Sequence, residues 1–485
     1  MNISIDRSRS AALAKLASAE FDVLVVGGGI VGSGVARDAA MRGLRVALLD
    51  RHDFAFGTSS RSSRLLHGGL RYLEQGHIGL VREASVEKKT LQDIAPHLAR
   101  PLGFVFPAYR GQGRPLWQLR IGVKLYDLLC RGGNFLPSRA LSPAETLAAA
   151  PGLDATKLSG AVRYADALTN DGRLVLDTLR SAERHGGVLA NYVCFLGAQR
   201  DGVAWRCTAE DTRTGRSLSL RALTVVNATG PWAQQIPHSS VRLRLSKGIH
   251  IVVARERLPV KDAIVLGEGR RILFVLPWGE RVILGTTDTD YDAAPENVTV
   301  DASDIRYVLR VVNEAFPQLR LDCSDIISSW AGLRPLVAQA DGTPSDISRA
   351  HDIRESRPGW WDVTGGKLTT YRLMAEETVD ELQRRLGLRA RCRTATESLL
   401  DEPPLYSGIE PPALTREAVA HYVHHEWAKT LEDIMVRRSG WHYLQRDSAN
   451  TAQIVACWMA DLLSWSPEEQ QHQIESYRNS TRVAA

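Results

Sequence analysis

The 485-residue sequence predicts a mixed α/β fold in three parts. A parallel-sheet domain comes first, interleaved with an antiparallel-sheet domain, and a small helical domain closes the chain. Three observations predict this. A strand, a glycine-rich turn, a helix and a second strand follow one another within residues 21–50. Two apolar runs at 271–276 and 281–286 flank Pro277-Trp278-Gly279-Glu280. Beyond 415, helix formers and tryptophans dominate and no strand pattern remains.

The elements follow in order. Residues 21–26 (FDVLVV) are a short β-branched run, the signature of a buried strand. Gly27-Gly28-Gly29 breaks it. Val31, Val35 and Ala39 then recur at helical spacing, with the small residues Gly32, Ala36 and Ala40 beside them. Residues 45–49 (RVALL) form the second strand, which Asp50 ends. A βαβ unit of about 30 residues requires a parallel sheet. Residues 223–226 (LTVV) are a further buried strand ending in Asn227-Ala228-Thr229-Gly230, and the 271–286 pair reads as a β-hairpin. Leu373, Ala375, Val379 and Leu382 mark a helix after Gly365-Gly366. Residues 397–415, with Pro403, Pro404, Pro411 and Pro412, form a linker, and residues 415–480 are helical. The expected partition is an extension at 1–19, a discontinuous nucleotide-binding domain at 20–90, 165–235 and 325–395, a substrate or cap domain at 91–164 and 236–324, and a linker with the helical domain at 396–485.

Composition narrows the function. Hydrophobic residues are 44% and charged residues 24%, which excludes a disordered or fibrous chain. The longest apolar runs fall far short of the roughly 18–20 residues that span a bilayer as a helix. Asp6, Arg7, Arg9 and Lys15 interrupt the first twenty residues, so these do not read as a secretory signal. The net charge of +5, from 60 basic and 55 acidic residues, is a mild excess without a concentrated basic stripe. That argues against nucleic acid and suits an anionic substrate or an anionic membrane surface. The six cysteines are scattered and form no CxxC, so neither a zinc site nor a redox pair is expected. Reduced thiols fit the cytoplasm.

Gly27-x-Gly29-x-x-Gly32 sits between strand and helix. The first glycine permits the tight turn, the second lets backbone approach a pyrophosphate, and the third lets helix and strand pack closely. The helix N-terminus then attracts the phosphate charge. Asp50, 18 residues past Gly32, ends the second strand, where an acid accepts hydrogen bonds from ribose hydroxyls. It opposes a 2′-phosphate, which disfavours NADP. The motif alone does not separate NAD from FAD. A second run, GTSSRSSRLLHGGLRYLE at 57–74, is either a plain hydrophilic loop or one that holds a flavin and delivers Arg71 and Tyr72 to a substrate.

With that run the sequence resembles the FAD-dependent glycerol-3-phosphate dehydrogenases, within the wider group that includes the D-amino-acid oxidases. The matching stretches are GGGIVGSGVARDAAMRG (27–43), TSSRSSRLLHGGLRYLE (58–74), NATGPW (227–232), KGIHIVV (247–253), PWGERVILGTTDTDY (277–291), GLRPL (332–336), ISR (347–349) and GGKLTTYR (365–372). The resemblance implies a Rossmann-like domain binding FAD. It implies that FAD is held by Gly27, Gly29, Gly32, Asp50, Thr58, Ser59, Ser60, Ser63, His67 and Gly69, together with Gly230, Gly366, Leu368 and Thr369. It further implies that Arg71, His250, Arg334, Arg349 and Lys367 line the substrate site.

The implied reaction oxidises sn-glycerol 3-phosphate to dihydroxyacetone phosphate by hydride transfer from C2 to flavin N5, with electrons passed to a membrane quinone. A small phosphate dianion calls for fixed cations, and the planar arginine fork matches phosphate oxygens. Arg71, Arg349 and Lys367 are the expected phosphate binders, with Tyr72 as a hydroxyl partner. His250 is the expected base, since an unperturbed imidazole titrates at about 6.5. Arg334 could instead stabilise the alkoxide. The helix after Gly366 would turn its positive end to the N1–C2 side of the flavin. Two other readings stand beside this one: an enzyme acting on another polyol phosphate, such as erythritol phosphate, or on an amino acid, and a flavin-bound protein without catalysis.

Two further segments carry expectations. In 109–131, Trp117, Ile121, Leu125 and Leu128 recur at helical spacing amid Arg110, Arg114, Arg120, Lys124 and Arg131. This pattern suits either a helix in the headgroup layer of an anionic leaflet or a helix packed on the core. Peripheral attachment to the inner face of the cytoplasmic membrane would serve a quinone-linked enzyme. His421, His424, His425 and Glu426 resemble a metal cluster, but His425-Glu426-Trp427 also matches the helical domain of the family, which implies a packing face and no metal. Bacterial members commonly carry a longer C-terminal domain than residues 397–415 leave room for. That bears on a homodimer contact, on the quinone route and on the choice of polyol phosphate.

Overall fold

The computed structural model describes residues 4–74, 76–130, 135–269, 271–337, 351–401 and 404–481. Strand Glu20–Val26 is buried from Val23 onward and lies between two parallel neighbours, Val46–Leu49 and Arg216–Asn227. Buried on both faces, such strands read as continuous apolar runs. The parallel set is completed by Val188–Ala190 at one side and Trp360–Gly365 at the other. An antiparallel strand, His351–Arg357, and the hairpin Val193–Asp201/Ala204–Asp211 extend it to eight strands. Helix Ile30–Met41 starts at Gly29 and packs between helices Asp171–Arg184 and Tyr371–Leu386. A Cβ on its Gly34 would stand 3.0 Å from both Ala375 and Tyr371, so a bare Cα is what lets these helices approach.

The second sheet has ten strands and is antiparallel except where Ala263–Glu268 meets Arg100–Tyr109. The expected hairpin is present as Arg271–Trp278 and Arg281–Gly285, with Trp278 opposite Arg281. Strand Ile326–Val337 pairs along Leu243–Ala254, which sets His250 opposite Trp330 and Ser246 opposite Arg334. The sheets therefore do not divide at the boundary drawn at 325. Leu65–Leu66 and residues 165–168 also pair in the second sheet. The chain passes between the sheets at these points, and a site forms where they meet.

Helix Leu116–Leu129 is shorter than the 109–131 pattern, because Arg100–Tyr109 is a strand and Pro115 caps the helix. It buries Leu119, Val123 and Tyr126 and leaves Trp117, Ile121, Leu125 and Leu128 exposed, at 64%, 61%, 37% and 72%. Both expected faces exist, on opposite sides. Among the described residues no helix is long and apolar enough to cross a membrane.

The C-terminal part is helical as expected: Arg416–His425, a π-helical turn Asp433–Arg438, Trp441–Leu444, Ser448–Leu463 and Pro467–Ser480. These elements close on Tyr422, Met435, Trp441, Val455 and Met459. The linker has no regular structure in its described residues but is not loose. Leu399 is fully buried, Trp278 Nε1 donates to the Ile409 carbonyl (3.2 Å) and Trp441 Nε1 to that of Pro412 (3.0 Å). Glu426 is buried against the guanidinium of Arg173 at 2.5 and 2.8 Å, and His421 lies 3.2 Å from the same carboxylate. Its carboxylate is thus taken up in joining this domain to helix Asp171–Arg184.

Candidate functional site

A cavity of about 570 Å³ runs between the two sheets, and its wall is assembled from both. One end is built from glycine and backbone. Gly27 has φ +108°, and a Cβ there would lie 2.6 Å from the Ala228 carbonyl oxygen; one on Gly32 would lie 1.9 Å from that of Gly27. Only glycine lets strand, turn and helix come this close. Ser59 Oγ accepts the Ile30 N–H (2.9 Å), so the 57–63 loop satisfies an orphan donor at the helix N-terminus. Asp50 accepts the N–H groups of Gly28 (2.7 Å) and His52 (2.9 Å). Burial pushes its pKa up to about 7 against those two hydrogen bonds. Gly29, Thr58 and Gly230 complete this part of the wall.

The other end is built from side chains. His250 Nε2 lies 2.8 Å from Ser63 Oγ, its ring stacks on Trp330 at 5.1 Å, and its buried Nδ1 has no hydrogen-bond partner among the described residues. Burial first, then the charges of Arg334 and Arg64, push its pKa down to about 3. The expectation of an ordinary imidazole pKa therefore fails. The ring is neutral, because a buried cation beside two guanidinium groups is unfavourable. Arg334 donates to Thr286 Oγ1 (3.0 Å), the Thr287 carbonyl (3.2 Å) and the Asp288 carboxylate (3.3 Å). Asp288 in turn accepts from Ser246 Oγ at 2.5 Å. Gly365 and Gly366, both at φ +73°, turn the chain so that Lys367 reaches the wall, with its ammonium 3.7 Å from the centre of the Tyr72 ring. His67, Gly366 and Leu368 also line this end.

Several expected residues stand behind the wall. Gly32 and Ser60 are packed under the glycine end. Thr369 Oγ1 accepts the His67 N–H at 3.1 Å and so braces a lining residue. Gly69 lies under the Tyr72 ring, and Tyr72 itself is buried in the core beside the cavity, where it carries Lys367. Tyr72 is not among the described residues that line the cavity. Arg349 lies outside the described residues, and only the backbone of Arg71 is described, in helix Arg71–Glu74. Residues not anticipated also line the cavity: Arg61, Trp232, Phe195 and Leu196. Behind the His250 stack, the buried Arg64 guanidinium sits among Trp278 (4.3 Å), Tyr443 (5.0 Å) and Trp330 (5.3 Å). Arg61 and Arg64 belong to the same serine-rich run as Ser63, but nothing in its spacing tells which arginine faces the cavity and which the core.

A doubly wound parallel sheet with a glycine cradle and an acid at the second strand defines a dinucleotide-binding oxidoreductase fold. The chain belongs to the FAD dependent oxidoreductase family, which matches residues 22–381, and residues 367–470 match the C-terminal domain of alpha-glycerophosphate oxidase. It is 40% identical over 384 residues to a glycerol-3-phosphate dehydrogenase of Mycobacterium leprae, covering 77% of this chain and 65% of that protein. It is 36% identical over 377 residues to an aerobic glycerol-3-phosphate dehydrogenase of Staphylococcus saprophyticus, covering 76% and 68%. The chain thus spans about two thirds of the length of such curated relatives. A solved structure of the glycerol-3-phosphate dehydrogenase from Bacillus halodurans complexed with FAD superposes with a TM-score of 0.79 at 27% identity, covering 99% of this chain and 97% of that one. The resemblance seen in the motifs therefore holds, and FAD is the cofactor of the family. The cradle fits it. The close backbone approaches at Gly27 and Gly32 leave the turn open to a pyrophosphate, and Asp50 presents a carboxylate where a ribose would lie.

Proposed function

We propose that the chain oxidises sn-glycerol 3-phosphate to dihydroxyacetone phosphate with FAD. One observation carries the reading. A clamped guanidinium (Arg334), an ammonium (Lys367) and a neutral imidazole (His250) share one cavity wall, continuous with the glycine cradle. The names of the relatives support the same substrate. FAD, when bound, supplies the hydride acceptor for C2.

The chain's own residues bind, orient and take the proton. Lys367, with Arg71 and Arg349, holds the phosphate by charge. Arg334, fixed by acceptors that include Thr286, Thr287 and Asp288, faces the C2 oxygen and stabilises the negative charge that grows on it. The Ser63–His250 pair accepts the hydroxyl proton. A ring held at a pKa of about 3, by burial first and by two guanidinium charges second, is a weak base; the substrate's phosphate would offset the second of these causes and raise the pKa in that measure.

Anaerobic addition of glycerol 3-phosphate to the purified yellow protein tests the reading. Bleaching of the visible flavin band supports it. Bleaching by erythritol phosphate or an amino acid alone transfers the chemistry to that substrate, and no bleaching by any of them leaves a non-catalytic flavoprotein.

We further propose that electrons leave to a membrane quinone and that helix Leu116–Leu129 docks on an anionic leaflet. The exposed Trp117, Ile121 and Leu128, flanked by exposed Arg120 and Lys124, support this. Anionic vesicles should co-sediment the protein at low salt and release it at high salt. Ile121→Asp together with Leu128→Asp should abolish binding, and co-sedimentation that survives this change refutes the docking.

A further inference from the structure

We propose that the C-terminal helical domain completes the glycine end of the cofactor site, holding the Asp50–Phe56 segment in place through Asp53. The segment leaves the second parallel strand at Asp50 and has two sides. Asp50, Arg51, His52 and Phe56 face the cavity. Asp53 and Phe54 face away from it and are fully buried.

On the cavity side the segment is zipped to the glycine turn. Asp50 accepts the Gly28 and His52 N–H groups, and the Ala55 N–H donates to the Gly28 carbonyl at 3.0 Å. The backbone of the segment is also held by the first sheet, where the Val193 N–H donates to the Asp50 carbonyl (2.7 Å) and the Tyr192 N–H to that of His52 (2.9 Å), but the Asp53 carboxylate and the Phe54 ring are met by the C-terminal domain and by Asn191, which that domain holds. Arg437 Nε donates to Asp53 at 2.5 Å, and Arg438 reaches the same carboxylate with both terminal nitrogens, one at 2.8 Å. Asn191 Nδ2 donates both to Asp53 (2.9 Å) and to the Trp427 carbonyl (2.9 Å). Phe54 packs edge-on against Trp427 at 5.2 Å between ring centroids. The same ring abuts the cradle: a Cβ on Gly28 would lie 2.5 Å from it. A chain of rigid contacts thus runs from Trp427 and Arg438 through Asp53 and Phe54 to the turn that approaches the pyrophosphate.

The two arginines are themselves held. Arg437 is braced by Glu432 (2.5 Å) and Asp433 (2.7 Å), and Arg438 by the Glu426 carbonyl (2.6 Å). Electrostatics act in the same direction. A buried Asp53 carboxylate without these cations would repel the Asp50 carboxylate nearby, and Arg437 opposes that effect. An uncompensated buried carboxylate would either protonate or drag the segment toward water. The second outcome removes Asp50 from its place beside the ribose, and the first weakens the link to Arg437 and Arg438 that anchors the segment.

Binding of the adenosine half and docking of residues 426–443 are then coupled, and coupling is reciprocal. The coupling depends on the cofactor site and not on the identity of the substrate. The full chain, stripped of FAD, is titrated with FAD and with ADP, which carries only the adenosine and pyrophosphate. Backbone hydrogen exchange across 427–443 is followed with and without ADP. In the wild type, ADP should slow exchange there. In Asp53→Asn and Arg438→Gln, Kd for FAD should rise at least about tenfold and the ADP-dependent protection should vanish. Arg281→Gln is the control. It loses a link to the carbonyls of Tyr443 and Gln445, which ties the same domain to the second sheet, and should leave Kd within about twofold. The proposal is overturned by folded Asp53 and Arg438 variants that bind FAD like the wild type, or by an equal loss in Arg281→Gln. Should those variants not fold, absence of ADP-dependent protection in the wild type overturns it alone.

Discussion

The two ends of the cavity recognise in opposite ways. The glycine end works through shape: backbone N–H groups, Gly27, Gly28 and Gly32 with no room for a Cβ, and a carboxylate at its rim. The other end works through charge, with Arg334, Lys367 and His250 brought in from separate segments of both sheets. A shape-based end tolerates nothing bulkier, and its pH response comes through Asp50, whose pKa burial raises to about 7. A charge-based end tolerates isosteric change yet depends on every neighbouring charge. Damage at the first should empty the site of cofactor, and damage at the second should leave the protein yellow and slow.

The largest expected effect is that of Gly32→Ala. Its Cβ would sit 1.9 Å from a backbone oxygen, and no rotamer relieves such a contact, so the helix must part from the strand. Overpacking of this kind costs about 1–3 kcal/mol or more. FAD affinity should fall at least about 100-fold, read by quenching of flavin fluorescence, with a lower denaturant midpoint. A variant that retains FAD like the wild type would remove the case for a shape-based end. Next comes Arg334→Met. It should retain FAD within about twofold and lose about 10²–10³ in kcat/KM for glycerol 3-phosphate. Loss of FAD from this variant would show that the two ends are not separable.

The same contrast explains what the sequence revealed. Gly27, Gly29, Gly32 and Asp50 act through local backbone geometry, and local geometry leaves a spacing that any reader of the chain can find. The stripe Trp117, Ile121, Leu125 and Leu128 was legible for the same reason, although the opposite face, with Tyr126, does the packing. The hydrogen bond between Ser63 and His250 spans 187 residues of sequence, and no pattern announces it. Nor does any local signal reveal that Tyr72 supports Lys367 from the core, or that Asp53 waits for two arginines at 437 and 438. His250 was recognised through its motif, but its depressed pKa depends first on burial and then on Arg334 and Arg64, all of which only the tertiary fold supplies.

That depressed pKa makes the charged end respond to acid in the opposite sense to the glycine end, where burial raises the pKa of Asp50. A histidine whose folded pKa lies below its unfolded value of about 6.5 contributes stability that is fully present above pH 6.5 and is lost as pH falls towards 3. The unfolded chain binds the proton that the folded chain refuses, so the slope of unfolding free energy with pH is positive across this window. For the wild type the contribution lost between pH 6.5 and 4.5 is about 2 kcal/mol. His250→Gln should be less stable than wild type at pH 7 and should lack this part of the slope. Urea midpoints at pH 7 and 4.5 decide it, and an unchanged slope would mean that the ring is not held neutral.

The smallest effect should come from the residue that touches both ends. Thr58 lies in the loop that caps the glycine-end helix, and its hydroxyl donates to the Leu333 carbonyl at 2.6 Å, one residue before Arg334. Thr58→Val keeps the shape and deletes the bond, leaving a carbonyl short of one donor. A single neutral hydrogen bond is worth about 1 kcal/mol, or about fivefold in an equilibrium constant. If the ends are independent apart from this tether, Kd for FAD and KM for glycerol 3-phosphate should each rise by no more than about fivefold, with kcat held. A change confined to Kd would assign Thr58 to the glycine end alone. A change confined to KM would mean that the tether serves only to set the height of Arg334 above the cavity.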